Sequence, residues 1–255
     1  MIDAHIHLLD RRFNPDREDI IKQAEENGIS GFFCVSAIPS EWKEVLALSE
    51  RHKNIHPFIG THPWYAVQHN ADLLRDLLQK NPSAGIGEIG LDTLKGDAFQ
   101  RKIFEDQLVL AAELNRPCVI HNVKSFDLIA HILKHLKKRP PALLFHGYSG
   151  TLQQAAFLIP FNAFFSFSGS ALAFDKKKQR AVLASLSEDR ILIETDAPDM
   201  LPPEKLRMSN EEHRNLPANL PLIIEEAARI RKTDIDALKT ILDQNAMRFL
   251  IFSSR

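Results

Sequence analysis

Ile2-Asp3-Ala4-His5-Ile6-His7 is the stretch from which the fold is read. Apolar and polar side chains alternate along it, which predicts a strand with the imidazoles of His5 and His7 on the same side. Working outward, short runs rich in β-branched and aromatic residues recur, so that candidate strands cover 2–7, 31–37, 55–60, 84–89, 117–121, 142–146, 163–168 and 190–196. Segments of helical period lie between them, the pattern of repeated strand-helix units around a parallel sheet. Eight strands is the number of a (β/α)8 TIM barrel, an α/β fold of about 250 residues. The chain has 255, so one barrel domain over 1–255 is expected.

The clearest amphipathic segment is 98–115, where Phe99, Ile103, Leu110 and Leu114 share a face and are expected in the core. A helix over 16–26 stops at Asn27-Gly28, and another starts near Ser40 after Pro39. The one long connection, 197–220, carries Pro198, Pro202, Pro203 and Pro217 and follows the eighth strand. Long ordered loops are usually functional.

Composition narrows the classes. With 32 basic and 33 acidic side chains the formal charge is −1, so no bulk attraction to nucleic acid or anionic membrane is encoded and any phosphate binding must be local. Cys34 and Cys118 lie in apolar strand-like runs, which suits buried free thiols in a reducing, cytoplasmic setting better than a disulfide. No secretion signal or run of roughly 18 apolar residues is seen, and no protein partner is indicated.

The His5/His7 pair admits two readings, a metal-binding pair or a strand end with two exposed histidines. Four further groups favour the first: Glu88 in Gly87-Glu88-Ile89-Gly90-Leu91-Asp92, His121, His146 before Gly147, and Asp196 in Glu194-Thr195-Asp196-Ala197-Pro198. Each stands where an apolar strand gives way to polar or glycine residues, and in a barrel those strand ends surround one mouth. Buried separately, each group would need its own partner, whereas a shared cation satisfies them together. Such a mixed imidazole and carboxylate set accepts zinc, manganese, nickel or magnesium.

These motifs, together with Thr61-His62-Pro63-Trp64 and His146-Gly147-Tyr148-Ser149-Gly150, resemble in order and wording the TatD-type metal-dependent deoxyribonucleases, within the amidohydrolase-like barrels. The resemblance covers nearly the whole chain. It implies two divalent ions, with His5, His7 and Asp196 around one, His121 and His146 around the other, and Glu88 bridging them. It also implies DNA as substrate and attack by a metal-activated water, with Asp196 either the group that takes the proton or a plain ligand. His62 is placed either as a contact to substrate phosphate or as a structural histidine before Pro63.

The chain departs from the family pattern after His121, where Asn122-Val123-Lys124 replaces the usual arginine and aspartate, leaving Lys124 as a point charge for phosphate. It also has Asn215-Leu216-Pro217 where the family has Asn-Glu-Pro, and no aromatic soon after Asp92. These changes are expected to touch substrate-binding parts. Lys176-Lys177-Lys178 with Arg180 either meets a nucleic-acid backbone or opens a solvated helix, whereas Lys134, Lys137, Lys138 and Arg139 belong to the opposite face. Rival readings are a hydrolase of small phosphoesters or of cyclic amides and lactones, and a non-catalytic interaction protein that keeps the barrel.

Overall fold

A computed structural model describes residues 1–209 and 213–251. All eight expected strands are present: β1 (Ile2–Ile6), β2 (Gly31–Val35), β3 (Ile55–Phe58), β4 (Ile86–Asp92), β5 (Cys118–Val123), β6 (Leu143–Phe145), β7 (Ala163–Ser168) and β8 (Ile191–Glu194). Helices α1 (Arg17–Glu26), α2 (Trp42–Arg51), α3 (Ala71–Lys80), α4 (Gln100–Leu114), α5 (Phe126–His135), α6 (Leu152–Leu158) and α7 (Lys177–Ser185) follow the first seven strands in turn. After β8 come α8 (Leu220–Arg231) and α9 (Ile235–Ile251).

The strands pair in parallel as two arcs, β1-β2-β3 and β4 through β8 in sequence order, rather than as one uninterrupted ladder. Backbone bonds cross both seams. Gly85 donates to Pro57 and Ile59 donates to Gly85 at one, while Asp196 donates to His5 and His7 donates to Ala197 at the other. The architecture is that of a (β/α)8 barrel with looser joints between the arcs.

Two apolar layers hold it. The larger lies between strands and helices and includes Trp42, fully buried, whose indole N–H donates to the Gly60 carbonyl at 2.8 Å. The smaller takes Ala4, Phe33, Phe58, Val119, Leu144, Phe164 and Leu192 from strands all round the ring, which can pack together only inside it. Ala246 and Phe249 of α9 join this inner cluster, Phe249 stacking on Phe33 and Phe58 at 5.6 and 5.9 Å between ring centroids. Asn245 of α9 donates to the carbonyls of Glu188 and Ile191 at the start of β8, both at 2.7 Å, so α9 closes the N-terminal end of the ring and leaves the C-terminal mouth to polar groups.

Phe99 corrects the expectation for 98–115. It is 58% exposed at the N-cap of α4, because the helix begins at Gln100, and the face turned inward is carried by Phe104, Leu108 and Ala111 with Leu110. The basic group that closes and follows α5 lies at the end opposite the mouth, Lys134 over the Phe157 ring at 5.0 Å and Arg139 over Phe161 at 4.3 Å. Cys34 and Cys118 are buried and unlinked. No helix among the described residues is long and apolar enough to cross a membrane. Positions 210–212 of the long connection and 252–255 of the expected domain lie outside the described residues.

Candidate metal centre

Strand ends deliver the site. β1 carries His5 and, one residue past its end, His7; β4 carries Glu88; β5 carries His121; His146 follows β6 directly; Asp196 comes two residues after β8. The pairing register shifts between Asp3 and Ile6 in β1 and between Ile86 and Ile89 in β4, the two places where His5 and Glu88 sit. Such irregularities re-aim side chains without ending the strand. Asp196 adopts φ +55°, in the left-handed region, as the chain turns out of β8.

Glu88 is the centre, 2% exposed, and its two oxygens face different groups. Oε2 lies 3.3 Å from both His5 Nε2 and His7 Nε2. Oε1 lies 2.8 Å from His121 Nδ1, 2.7 Å from His146 Nε2 and 3.4 Å from His62 Nε2. Asp196 Oδ1 joins the first side, 3.4 Å from His5 Nε2 and 3.6 Å from His7 Nε2. All six sequence-expected ligands therefore converge, and His62 comes with them.

Donor atoms of His5, His7 and Asp196 fall within 4.8 Å of one another, as do those of His62, Glu88 and His121, and those of His5, His146 and Glu194. The chemistry of this set fits divalent cations. His5 and His7 bring their Nε2 atoms to 3.2 Å from each other, and His62 Nε2 stands 3.2 Å from His121 Nδ1. Ring nitrogens so placed repel unless a proton or a cation lies among them.

The protein's own charges leave the cluster unevenly satisfied. Burial pushes the Asp196 carboxyl up to about 8 against the pull of His146 and His7, with Glu194 and Glu88 adding repulsion. Burial also raises Glu88, but His146, His62 and His5 outweigh it and hold that carboxyl well below the usual range. His5 is kept well below the normal histidine value by burial and by His146. Burial opposes protonation of His7 and His146, yet Glu88 lifts them to about 9 and about 10. Among the described residues no lysine or arginine forms an ion pair with Glu88, Glu194 or Asp196, so positive charge reaches these carboxylates only through imidazoles. A divalent cation bound here would replace those protons and lower the carboxylate pKa values.

Sequence reasoning assigned no role to Glu194 and Asp92. Glu194 is fully buried, accepts the Gly147 N–H at 2.7 Å and the Ser166 hydroxyl, and lies 4.0 Å from His146 Nδ1. Its signal was available, since a strand period of two places it with Asp196. Asp92 accepts the Trp64 indole N–H at 2.7 Å and stands 3.4 Å from His121 Nε2, behind the ring whose Nδ1 faces Glu88. Carboxylates behind ligating histidines fix ring orientation.

The cleft over this cluster has a volume of about 620 Å³, with Arg12, Trp64, Tyr65, Asp199 and Met200 on its walls besides the cluster residues. Lys124 does not line it and belongs to an adjoining groove. Leu216 packs partly buried against the main core, while Asn215 is buried and donates to the Thr195 carbonyl at 2.7 Å. The departure at Asn215-Leu216-Pro217 thus falls on a brace for the β8 turn instead of on the cleft wall.

The sequence model of the family described as TatD related DNase matches residues 2–251. A 3'-5' ssDNA/RNA exonuclease TatD from Pantoea ananatis is 30% identical over 258 residues, covering 97% of this chain and 98% of that protein. An uncharacterized metal-dependent hydrolase, YabD of Bacillus subtilis, is 26% identical over 254 residues, covering 97% of this chain and 98% of its own. Among solved structures, the TatD homolog YjjV from Escherichia coli K12 superposes with a TM-score of 0.87 at 26% identity, covering 98% of this chain and 97% of that one.

Proposed function

Because this chain belongs to the TatD-related DNase family, we propose that it is a divalent-metal-dependent phosphodiesterase that cleaves DNA, with residues on the two sides of Glu88 that would hold two ions. The observation that supports this reading above the others is the division of labour at Glu88, Oε2 toward His5 and His7 and Oε1 toward His121 and His146. In this reading His5, His7 and Asp196 would hold the first ion, His121 and His146 the second, and Glu88 would serve both. When bound, paired cations make a water acidic near neutral pH and offset charge developing on phosphate oxygens.

The side chains do the rest. His62 lines the cleft beside the second group and is assigned to orienting a phosphate oxygen. Asp196 receives the proton as water attacks phosphorus and the bond to the leaving oxygen breaks. The leaving oxygen is then protonated from solvent, which the cleft admits. Glu194 and Asp92 keep His146 and His121 in place. The buried free thiols suit the reducing, cytoplasmic setting proposed for the protein.

The test offers the purified protein single-stranded and double-stranded DNA with manganese or magnesium, beside an Asp196→Asn control, with metal content measured in parallel. Expected are about two ions per chain and a loss of at least about 100-fold in the variant, the lower end for removing a proton acceptor. Equal activity of the two proteins sinks the nuclease reading.

A further inference from the structure

A groove of about 710 Å³ adjoins the cleft, and Asn122, Val123 and Ser149 line both. Its outer walls are the first turns of α5 and α7 and the stretch after β6, and its two cations are Lys124 and Lys178. We propose that this groove is a subsite for the nucleotides next to the cleaved phosphodiester, with Lys124 and Lys178 taking backbone phosphates. The inference rests on the nuclease reading above and narrows its substrate to an oligomer.

The two lysines are held differently. Lys124 stands at φ +54° just past β5. Its carbonyl accepts the Thr93 hydroxyl at 3.1 Å, and the next residue, Ser125, donates to the Leu91 carbonyl at 2.7 Å. The backbone is thus pinned to the end of β4, while the side chain is exposed and has no ion-pair partner among the described residues. Across the groove, Lys178 Nζ donates to the Ser149 carbonyl at 2.8 Å. Of its basic neighbours, Lys176 pairs with Asp175 at 3.7 Å, Arg180 pairs with Glu226 at 2.6 Å, and Lys177 is not on the groove wall, so Lys178 is the charge this run brings to the groove. Asp127 is the single carboxylate on the wall, and Gln154, Gln179 and Asn122 offer neutral donors and acceptors.

Size and continuity choose the ligand. The groove is within the roughly 300–1,000 Å³ of small-molecule pockets, and so is the cleft. A small phosphoester needs no more than the cleft. An occupant of both spaces presents one phosphate to the metal centre and others to the lysines about the shared wall, which is the chemistry of a polynucleotide strand. Since the chain is net −1, this attraction is local and so separable by mutation.

The experiment measures binding of a fluorescein-labelled ten-nucleotide single strand to the metal-loaded Asp196→Asn protein across a salt series, with and without Lys124→Ala and Lys178→Ala. Each phosphate contact to a single strand contributes roughly 0.7 to the slope of log K against log salt, so the double variant is expected to flatten the slope by about 1.4. Both side chains are on the surface, and an unchanged melting temperature confirms that the variants fold. An unchanged slope, or no binding by the parent protein, overturns the groove. Lysine-dependent binding in a protein whose native form cuts no DNA overturns the nuclease reading and leaves the groove standing. DNA cutting with a salt slope indifferent to the lysines does the reverse.

Discussion

Glu88 has both oxygens committed, one to each side of the cluster, and no neutral side chain reproduces that. Glu88→Gln keeps the shape but replaces one oxygen with an amide nitrogen, a donor facing imidazoles and cations that need an acceptor. We expect metal content below two ions per chain and at least about 100-fold lower turnover, from metal analysis and a DNA cleavage assay. Far-UV circular dichroism is expected to stay native, because barrel-mouth residues serve function more than stability. A fully loaded and active Gln variant removes the bridging role. Glu194 invites a second test at this scale. Glu194→Gln weakens its hold on the Gly147 N–H and on His146, so lower affinity for metal, about 10-fold to 100-fold, is expected by competition with a chelator. Unaltered affinity assigns Glu194 to packing alone.

At the scale of elements, β4 and β5 meet backbone to backbone where Gly90 pairs with His121. Gly90 has φ +153°, and a Cβ there would collide with the His121 carbonyl oxygen, backbone that cannot swing aside. Gly90→Ala therefore combines backbone strain with overpacking, and about 2–4 kcal/mol of destabilisation is expected from urea unfolding at unchanged m-value. His121 is the residue whose backbone the new methyl displaces, so turnover should fall as well. A variant as stable as the parent would mean that the two strands part here without cost. The strands themselves were legible because β-branched and aromatic runs buried on both faces announce them. Phe99 misled because periodicity gives the face of a helix, while where the helix begins depends on the turn packed before it.

Across the whole molecule, the long connection after β8 is fastened to the segment after β1. Arg12 pairs with Asp199 at 2.8 Å, and Arg214 donates to Asp16 at 2.9 Å. Arg214 holds the Asp16 carboxyl below the usual range, outweighing the smaller rise from burial. A depressed carboxylate adds stability above its unfolded pKa and loses it as pH falls through the folded one. Arg214→Met should thus cost up to about 1 kcal/mol at pH 7, both partners being partly exposed, and nothing at pH values below the folded pKa of Asp16. Melting temperatures measured from pH 7 downward check this; a penalty that persists in acid assigns the loss to packing on Phe13 instead. Metal acts at the same scale, since ligands binding only the folded state add about 2.7 kcal/mol at a hundredfold excess over Kd. Chelation should lower the melting temperature by about 5–10 °C in the parent and far less in Glu88→Gln. An equal drop in both places the ions elsewhere.

Residue types and their order along the chain determined the eight strands, the direction of the mouth and the six groups that meet there, because burial patterns and strand period are local properties. His5 and His7 could be paired from two positions of one strand. Only the tertiary structure decided that the sheet forms two arcs, that register shifts at His5 and Glu88 aim those side chains, and that His62 joins the second group. It also decided that Lys124 lines a neighbouring groove and that Leu216 packs against the core. Distances between residues far apart in sequence depend on how strands twist and stagger around the barrel, and no single stretch of the chain encodes that.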